Sequence, residues 1–77
     1  MIDPSEAPEA EGKVKIANKV SEESTETITA FLSQGKKEIA EESADLIFHL
    51  FVLLEYSNIS PDDVFDVLSD RMFKRKK

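Results

Sequence analysis

One stretch of this chain is apolar nearly all round a helix, and it constrains the fold more than any other feature. It runs from Leu46 to Leu54, and His49 is the only polar side chain within it. A helix that is apolar on most faces is buried on most faces. The chain has 77 residues and no cysteine, so it forms one domain with a modest core and no disulfide. Two further short helices cannot cover this segment alone, and we therefore expect an all-α fold completed by homodimerisation.

Three helices account for most of the sequence. The first is predicted over 14–32 and stops at Gly35, which can take the left-handed conformation that follows a helix. The second is predicted over 37–56 and returns antiparallel, so the two form a helical hairpin. The third starts at Ser60-Pro61-Asp62-Asp63, where a capping serine precedes a proline and two acids that suit the first helical turn.

Small and apolar side chains recur three or four positions apart on the first and third helices, which is typical of faces that point into a core. On the first helix they are Ala17, Val20, Ser24, Ile28 and Phe31. On the third helix they are Val64, Val67, Leu68 and Met72. We expect both faces to point inward.

The first twelve residues differ from the rest in composition. Residues 1–12 contain two prolines, one glycine and four acids, which predicts a flexible acidic arm ahead of a folded domain over 13–77. The arm has neither a basic start nor an apolar stretch, so we expect no secretory signal and a cytoplasmic protein. The longest apolar run is less than half a membrane span, and no membrane contact is expected.

The charge is distributed unevenly along the chain. Residues 1–70 hold all 16 acids and five lysines, a net charge of −11, whereas residues 71–77 carry +5. An acidic body repels phosphates over most of its surface, which argues against nucleic-acid binding. We expect the basic end to be a solvated helix terminus that complements the helix dipole, with contact to an anionic partner as the alternative.

Acidic side chains form one stripe on each helix of the predicted hairpin. The stripe on the first helix is Lys19, Glu22, Glu23, Glu26 and Ala30, and that on the second is Glu38, Glu42, Asp45 and His49. Counted from the turn, Glu26 and Asp45 are expected at nearly the same height, with Glu23 and Glu42 about one turn to either side.

Carboxylates gathered in this way repel one another unless a cation neutralises them. Oxygen ligands in a chain without cysteine favour Mg²⁺ or Mn²⁺ over zinc or copper. The pattern therefore predicts a site for metal-assisted attack of water on a phosphoanhydride. The alternative is an ordinary solvated helix face, which we expect for Glu38 and Glu41. His49 is either a hydrogen-bonded residue behind the site or a residue near the substrate.

The segment Glu22-Glu23-Ser24-Thr25-Glu26 is followed, after 15 residues, by Glu42-Ser43-Ala44-Asp45. This spacing resembles the EExxE…ExxD pattern of the MazG-type all-α nucleoside triphosphate pyrophosphatases. The run EESADLIFHL over 41–50 and its continuation to Leu54 narrow the resemblance to the phosphoribosyl-ATP pyrophosphatase family of histidine biosynthesis. The similarity covers about 17–71. It implies a helical bundle completed by dimerisation and Mg²⁺-dependent hydrolysis of phosphoribosyl-ATP to phosphoribosyl-AMP and pyrophosphate.

The resemblance also implies a role for each matching residue. The implied metal ligands are Glu23, Glu26, Glu42 and Asp45. Glu22 would be the catalytic residue that orients the attacking water, or would bind a second metal. Lys19 would approach a substrate phosphate or pair with Glu23.

The chain departs from the family pattern before the acidic helix. Members usually have a further helix and a Ser-Tyr-Thr-like loop there, and a glycine where this chain has Ser21. We therefore expect a shortened member of the family. Two alternatives stay open: a pyrophosphatase that acts on other nucleoside triphosphates, and a catalytically silent helical dimer.

Overall fold

The computed structural model describes residues 8–75, with side chains over 11–73, and this part of the chain consists of three α-helices. Helix α1 is Pro8–Ser33, α2 is Lys36–Tyr56 and α3 is Pro61–Arg75. No strand occurs between residues 8 and 75. The prediction of an all-α chain with a helical hairpin and a third helix is therefore confirmed, whereas homodimerisation stays a prediction.

Helix α1 begins at Pro8, six residues before the predicted start at Val14. Proline suits the first helical position, and the acids that follow it suit the positive end of the helix dipole. The added turns also have a packing partner, because a Cβ on Gly12 would lie 3.7 Å from Cε2 of Tyr56 at the end of α2. The last five residues of the predicted arm are thus helical, and residues 1–7 lie outside the described part of the chain.

The turn between α1 and α2 differs from the prediction at Gly35. This glycine has φ −105° and ψ −178°, so it is extended rather than left-handed, and it caps α2 instead of ending α1. Its N–H donates to Oε1 of Glu38 at 3.2 Å, and its carbonyl accepts from the N–H of Ile39 at 3.0 Å. The hairpin turn is consequently tighter than a left-handed glycine followed by a separate return segment.

The face of α1 that packs on α2 is rotated by about one residue from the predicted face. Ala30 is fully buried and Glu23 is 8% exposed, whereas Ile28 and Phe31 are 58% and 70% exposed. Val20 and Ser24 of the predicted face are half-buried, as are Ile16 and Thr27, whereas Ala17 of the predicted face is exposed. Small side chains such as alanine let two helix axes approach closely, and phenylalanine in the same place would hold them apart. The prediction that Ile28 and Phe31 point inward is wrong for the single chain.

Helix α2 ends in a Schellman motif. The N–H of Ile59 donates to the carbonyl of Leu54 at 2.9 Å, and the N–H of Asn58 donates to the carbonyl of Glu55 at 3.1 Å. Asn58 has φ 60°, the left-handed conformation that this motif requires and that asparagine tolerates better than most residues.

The start of α3 follows immediately and agrees with the predicted cap. The Ser60 hydroxyl accepts from the N–H of Asp62 at 3.0 Å, and the N–H of Ser60 donates to Oδ2 of Asp63 at 3.1 Å. Ile59, the last residue of the cap of α2, is therefore followed directly by Ser60, the first residue of the cap of α3. Backbone bonds at the end of α2 and side-chain bonds at the start of α3 therefore both constrain the short connection between the two helices.

Helix α3 does not return onto the hairpin. Helices α1 and α2 pack along their length, but α3 hardly approaches either of them. Val64 is half-buried, whereas Leu68 and Met72 are 49% and 67% exposed. The prediction that the apolar residues of α3 point inward is wrong for Val67, Leu68 and Met72 in the single chain, because the paired caps hold α3 away from the hairpin.

The chain is extended for its length. Its radius of gyration is 16.0 Å and its extents are 55 × 33 × 16 Å, whereas a compact domain of this length has a radius of gyration of about 11–12 Å. In α2 no residue is fully buried, and Ile47 and Phe48 are 50% and 59% exposed. Among residues 8–75, no helix combines the length and the apolar character needed to cross a membrane.

Candidate metal centre

Three carboxylates converge between α1 and α2. Glu23 and Glu26 lie one turn apart on α1, and Glu42 lies on the facing side of α2. Each of the three offers an oxygen within 4.8 Å of the oxygens offered by the other two. Carboxyl oxygens on neighbouring helices at this separation can bind one small cation together.

Two oxygens of this carboxylate cluster are buried without a partner. Oε1 of Glu23 and Oε1 of Glu42 are inaccessible to solvent, and neither has a hydrogen-bond partner in the described part of the chain. Buried polar atoms in folded proteins nearly always have a partner, since an unpaired one costs free energy. The carboxylate cluster thus fits a cation, because a cation would pair both oxygens at once.

The electrostatics of the cluster support the same conclusion. Burial raises the pKa of Glu23, and repulsion from Glu26 and Asp45 raises it further, against the attraction of His49 and Lys19. Burial likewise comes first in raising the pKa of Glu42. A hydrogen bond with the Glu26 side chain and repulsion from the neighbouring carboxylates add to that rise. The cluster therefore holds negative charge at a cost, which a bound cation would offset.

These pKa shifts predict how pH affects the metal-free protein. A carboxyl group with a raised pKa binds protons more tightly in the folded state than in the unfolded chain. The Glu23 carboxyl group has a pKa of 4.5 in the unfolded chain. Its contribution to stability is therefore fully present below pH 4.5 and is lost as the pH rises through the higher pKa of the folded state. We expect the free energy of unfolding of the wild type, relative to Glu23→Gln, to fall as pH rises from 4.5 to neutrality. Urea unfolding in a chelator at one protein concentration measures this, and a difference independent of pH would contradict it.

The register of the cluster differs from the prediction by about one turn. Glu26 offers an oxygen within 4.8 Å of one offered by Glu42, whereas the prediction placed Glu26 level with Asp45. The reason is the tight turn, because Gly35 already caps α2 and brings its first residues closer to the turn than a longer return would. The predicted convergence of carboxylates is present, but the pairs that meet are different.

Thr27 is a residue of this region that the sequence analysis missed. Its Oγ1 lies 2.7 Å from the carbonyl oxygen of Glu23 on its own helix and 3.1 Å from that of Glu42 on α2. One hydroxyl hydrogen is thus shared between the backbones that carry two members of the cluster. A threonine four positions after Glu23, on the face that packs against α2, was the available signal.

We predict that Thr27→Val weakens Mg²⁺ binding several-fold. Valine keeps the shape but removes a hydrogen bond worth about 1 kcal/mol, so the spacing between Glu23 and Glu42 is less well fixed. Thr27→Ser keeps the hydroxyl and should restore binding. The control is Thr25→Val, since Thr25 donates within α1 to the carbonyl of Ser21 at 3.1 Å on the exposed side. Calorimetric Mg²⁺ titration measures the effect, and equal affinities of Thr27→Val and Thr25→Val would contradict the prediction.

Glu22 and Lys19 lie beside the cluster rather than in it. The Lys19 Nζ is 3.5 Å from Oε1 of Glu22, and both side chains are more than half exposed. The suggested pairing of Lys19 with Glu23 is therefore not found, because Glu22, three residues along the same exposed side, takes the ammonium group.

Asp45 and His49 are near the cluster without joining its three carboxylates. Asp45 is exposed, and its charge raises the pKa of both Glu23 and Glu42. His49 is half-buried and close enough to Glu23 to lower its pKa. Its ring meets that of Phe48 edge to face, with centroids 5.1 Å apart. Both side chains thus lie close enough to the cluster to act on its charge, Asp45 by repulsion and His49 by attraction.

The chain is similar to proteins of one known family. The family model for phosphoribosyl-ATP pyrophosphohydrolase matches residues 3–72. A phosphoribosyl-ATP pyrophosphatase from Sulfurisphaera tokodaii is 51% identical over 61 residues, which cover 79% of this chain and 65% of the relative. The one from Sulfolobus acidocaldarius is 48% identical over 63 residues, covering 82% of this chain and 66% of the relative.

The enzyme of the same name from Metallosphaera sedula is 49% identical over 61 residues, covering 79% of this chain and 66% of the relative. The chain thus spans slightly less than two thirds of the length of these curated relatives. No solved structure matches the chain. The identities and the match over 3–72 agree with the family indicated by the acidic motif, and this chain belongs to the phosphoribosyl-ATP pyrophosphohydrolase family.

Proposed function

We propose that this chain acts as a homodimeric phosphoribosyl-ATP pyrophosphatase that works with Mg²⁺, or alternatively Mn²⁺. It would hydrolyse phosphoribosyl-ATP to phosphoribosyl-AMP and pyrophosphate in histidine biosynthesis, a role that would place it in the cytoplasm. The name of the family and of the relatives above supports the substrate. The observation that carries the proposal is the pair of buried, unpartnered oxygens of Glu23 and Glu42 in one carboxylate cluster.

The carboxylates of the cluster and Asp45 would bind the cation. Glu23, Glu26 and Glu42 would hold the cation, and the exposed Asp45 would complete the ligands of that cation or bind a second cation. When bound, the cation would neutralise phosphate charge and lower the pKa of a bound water. Three carboxylates without a cation would instead repel the substrate's phosphates.

The residues beside the cluster would act on water and phosphate. A carboxylate oxygen of Glu22 would accept the proton of the water that attacks phosphorus, as the bond to the departing pyrophosphate breaks. Lys19 would contact a phosphate oxygen once the substrate competes for its ammonium group. His49, whose charge acts on Glu23, would hold that side chain in place or reach the substrate.

The shape of the single chain supports self-association. Helix α2 is the most apolar helix, yet Ile47, Phe48 and Phe51 stay 44–59% exposed. Apolar surface of this kind on a soluble chain marks an interaction site. A second copy would cover it and would bury the helix that the sequence requires to be buried.

Pyrophosphate release from phosphoribosyl-ATP, assayed beside a panel of nucleoside triphosphates, tests the proposal. Each substrate is assayed with millimolar Mg²⁺ and with chelator. We expect Mg²⁺-dependent release from phosphoribosyl-ATP and little from the panel. Release from the panel alone would replace the proposed substrate but keep the hydrolysis, and no release from any substrate would favour a catalytically silent dimer.

A further inference from the structure

One stripe of side chains on each helix of the hairpin continues from the carboxylate cluster toward the open end, away from the turn. The stripe on α1 is Lys15, Lys19, Glu22 and Glu26, and the stripe on α2 is Asp45, His49, Val52 and Tyr56. Each has the spacing i, i+4, i+7, i+11, which keeps its members on one side of a helix.

The two stripes border the same stretch of the groove between α1 and α2. Besides burial, charges from both stripes act on the pKa of Glu23, namely those of Glu26, Asp45, His49 and Lys19. At the open end the ring of Tyr56 lies against α1, because a Cβ on Gly12 would be 3.7 Å from its Cε2 and 3.8 Å from its hydroxyl oxygen. Lys15 is on α1 within one turn of that contact.

The charge along the groove gives an anionic ligand one direction in which to extend from the cluster. Toward the turn, Ala30 is fully buried and the carboxylate of Glu38 accepts from the N–H of Gly35 at 3.2 Å. Toward the open end, Lys19 and then Lys15 follow on α1, one turn apart. In a chain with 16 acids and 10 bases, such a pair of lysines is where phosphate is repelled least. A ligand whose phosphates lie at the cluster therefore extends toward Lys15.

The ammonium group of Lys15 is uncommitted among the side chains described over 11–73. The ion pair in that part of the chain joins Lys19 to Glu22, and Lys15 is exposed and pairs with no carboxylate there. Lys15 is eight residues before Glu23, which places it about 12 Å farther along the helix axis.

The other cations among the described side chains are on different sides of the helices. They are Lys13, Lys36, Lys37 and Arg71. Lys13 is two positions from Lys15, and residues two apart do not face the same way on a helix. The two lysines that open α2 are five and six positions before Glu42, which also takes them off its side. Arg71 is on α3, which hardly approaches the hairpin.

Phosphoribosyl-ATP carries a phosphate that nucleoside triphosphates lack, on the ribose that is attached to its adenine. Ribose, adenine and a second ribose separate this distal phosphate from the triphosphate, a span of the same order as the distance from the cluster to Lys15. We propose that Lys15 binds the distal phosphate and thereby selects phosphoribosyl-ATP over nucleoside triphosphates. This role rests on the substrate of the proposed function and adds the residue that recognises it.

Lys15→Gln tests the role, with Lys13→Gln as the matched control on another side of the same helix turn. The quantity measured is the ratio of kcat/KM for phosphoribosyl-ATP to kcat/KM for ATP, from pyrophosphate release with Mg²⁺. We expect Lys15→Gln to lower this ratio by about 10- to 100-fold, the usual effect of losing one hydrogen bond to a charged group. Lys15→Arg should keep most of the ratio, and Lys13→Gln should keep all of it. An unchanged ratio in Lys15→Gln, or an equal fall in Lys13→Gln, would overturn the proposal.

Binding of the two nucleotide monophosphates gives a readout that needs no turnover. Phosphoribosyl-AMP keeps the distal phosphate and AMP lacks it, and each is titrated calorimetrically into the protein with Mg²⁺. We expect the wild type to bind phosphoribosyl-AMP more tightly than AMP, and Lys15→Gln to lose most of that preference. No preference in the wild type, or the same preference in Lys15→Gln, would overturn the proposal.

The assignment of Lys15 and the proposed hydrolysis fail in different ways. A wild type that releases no pyrophosphate but prefers phosphoribosyl-AMP through Lys15 refutes the hydrolysis and supports the phosphate site. Pyrophosphate release from phosphoribosyl-ATP with the same substrate ratio in Lys15→Gln supports the hydrolysis and refutes the role of Lys15.

Discussion

Glu42→Gln is expected to lower Mg²⁺-dependent pyrophosphate release by about 100-fold or more, because even residues that only support a metal ligand cost 10- to 100-fold when changed. Glu42 is the single carboxylate that α2 contributes to the group of three, and one of its oxygens is buried without a partner. The amide has the same shape but no charge, so the cation loses a ligand without a change in packing. Steady-state pyrophosphate assays across Mg²⁺ concentrations measure the loss.

The matched control for this variant is Glu41→Gln, the same change one residue away. Glu41 is exposed, whereas Glu42 is half-buried in the cluster. We expect Glu41→Gln to keep nearly full activity. An equal loss in both variants would contradict the assignment of Glu42.

The Glu42→Gln variant should be more stable than the wild type when metal is absent. Burial and the neighbouring carboxylates raise the pKa of Glu42, so its charge is unfavourable in the folded state at neutral pH. Removing that charge relieves the repulsion. A Glu42→Gln protein that is inactive but unfolds at a higher urea concentration in chelator cannot owe its inactivity to unfolding. Reduced helicity together with lost activity would count against a catalytic role.

Mg²⁺ is expected to stabilise the wild type strongly against heat. A ligand that binds only the folded state adds about 2.7 kcal/mol at 100 times its dissociation constant, which corresponds to roughly 10–20 °C for a chain of this length. The midpoint should keep rising with the logarithm of the Mg²⁺ concentration. Circular dichroism melts at constant ionic strength and constant protein concentration measure it.

Glu23→Gln separates this specific effect from general salt effects. Glu23 is 8% exposed and supplies the other unpartnered oxygen, so its amide should lose most of the Mg²⁺-dependent rise. The control Glu41→Gln should keep it. A wild-type midpoint that Mg²⁺ leaves unchanged would favour the catalytically silent dimer.

The sequence predicts the three carboxylates of the cluster together with Asp45, which lies outside it, and it does not predict the register of the two helices. Glu23, Glu26 and Glu42 lie on helix faces that periodicity identifies, and a glycine turn pairs the two helices. Which residues meet across the hairpin depends on the conformation of Gly35, and glycine is compatible with both the predicted left-handed form and the extended form found. The conformation of this single glycine therefore shifts the residues that face each other across the hairpin by about one helical turn.

The position of Thr27 could not be predicted for a related reason. A threonine inside a helix most often bonds only to the carbonyl four residues earlier, as Thr25 and Thr29 do. A second bond to Glu42 on α2 requires the register and the close approach of two helices. Sequence spacing places Thr27 on the packed face but does not give the distance across it.

The apolar periodicity of α3 predicts which of its residues are to be buried but not which surface covers them. Spacing identifies Leu68 and Met72 as residues to be buried, and this is a property of the sequence alone. It does not say whether the covering surface belongs to the same chain. The direction of α3 depends on the Schellman motif at Asn58 and the cap at Ser60. Side-chain periodicity does not predict that direction.

A crystal of this protein grown with Mn²⁺ would show whether the cluster between α1 and α2 is a divalent-cation site. Manganese scatters anomalously and takes the same oxygen ligands as magnesium. We expect an anomalous peak bonded to carboxylate oxygens of Glu23, Glu26 and Glu42. The same peak should be missing from crystals of Glu42→Gln. Anomalous density only elsewhere on the protein, with the three carboxylates unbound, would contradict it.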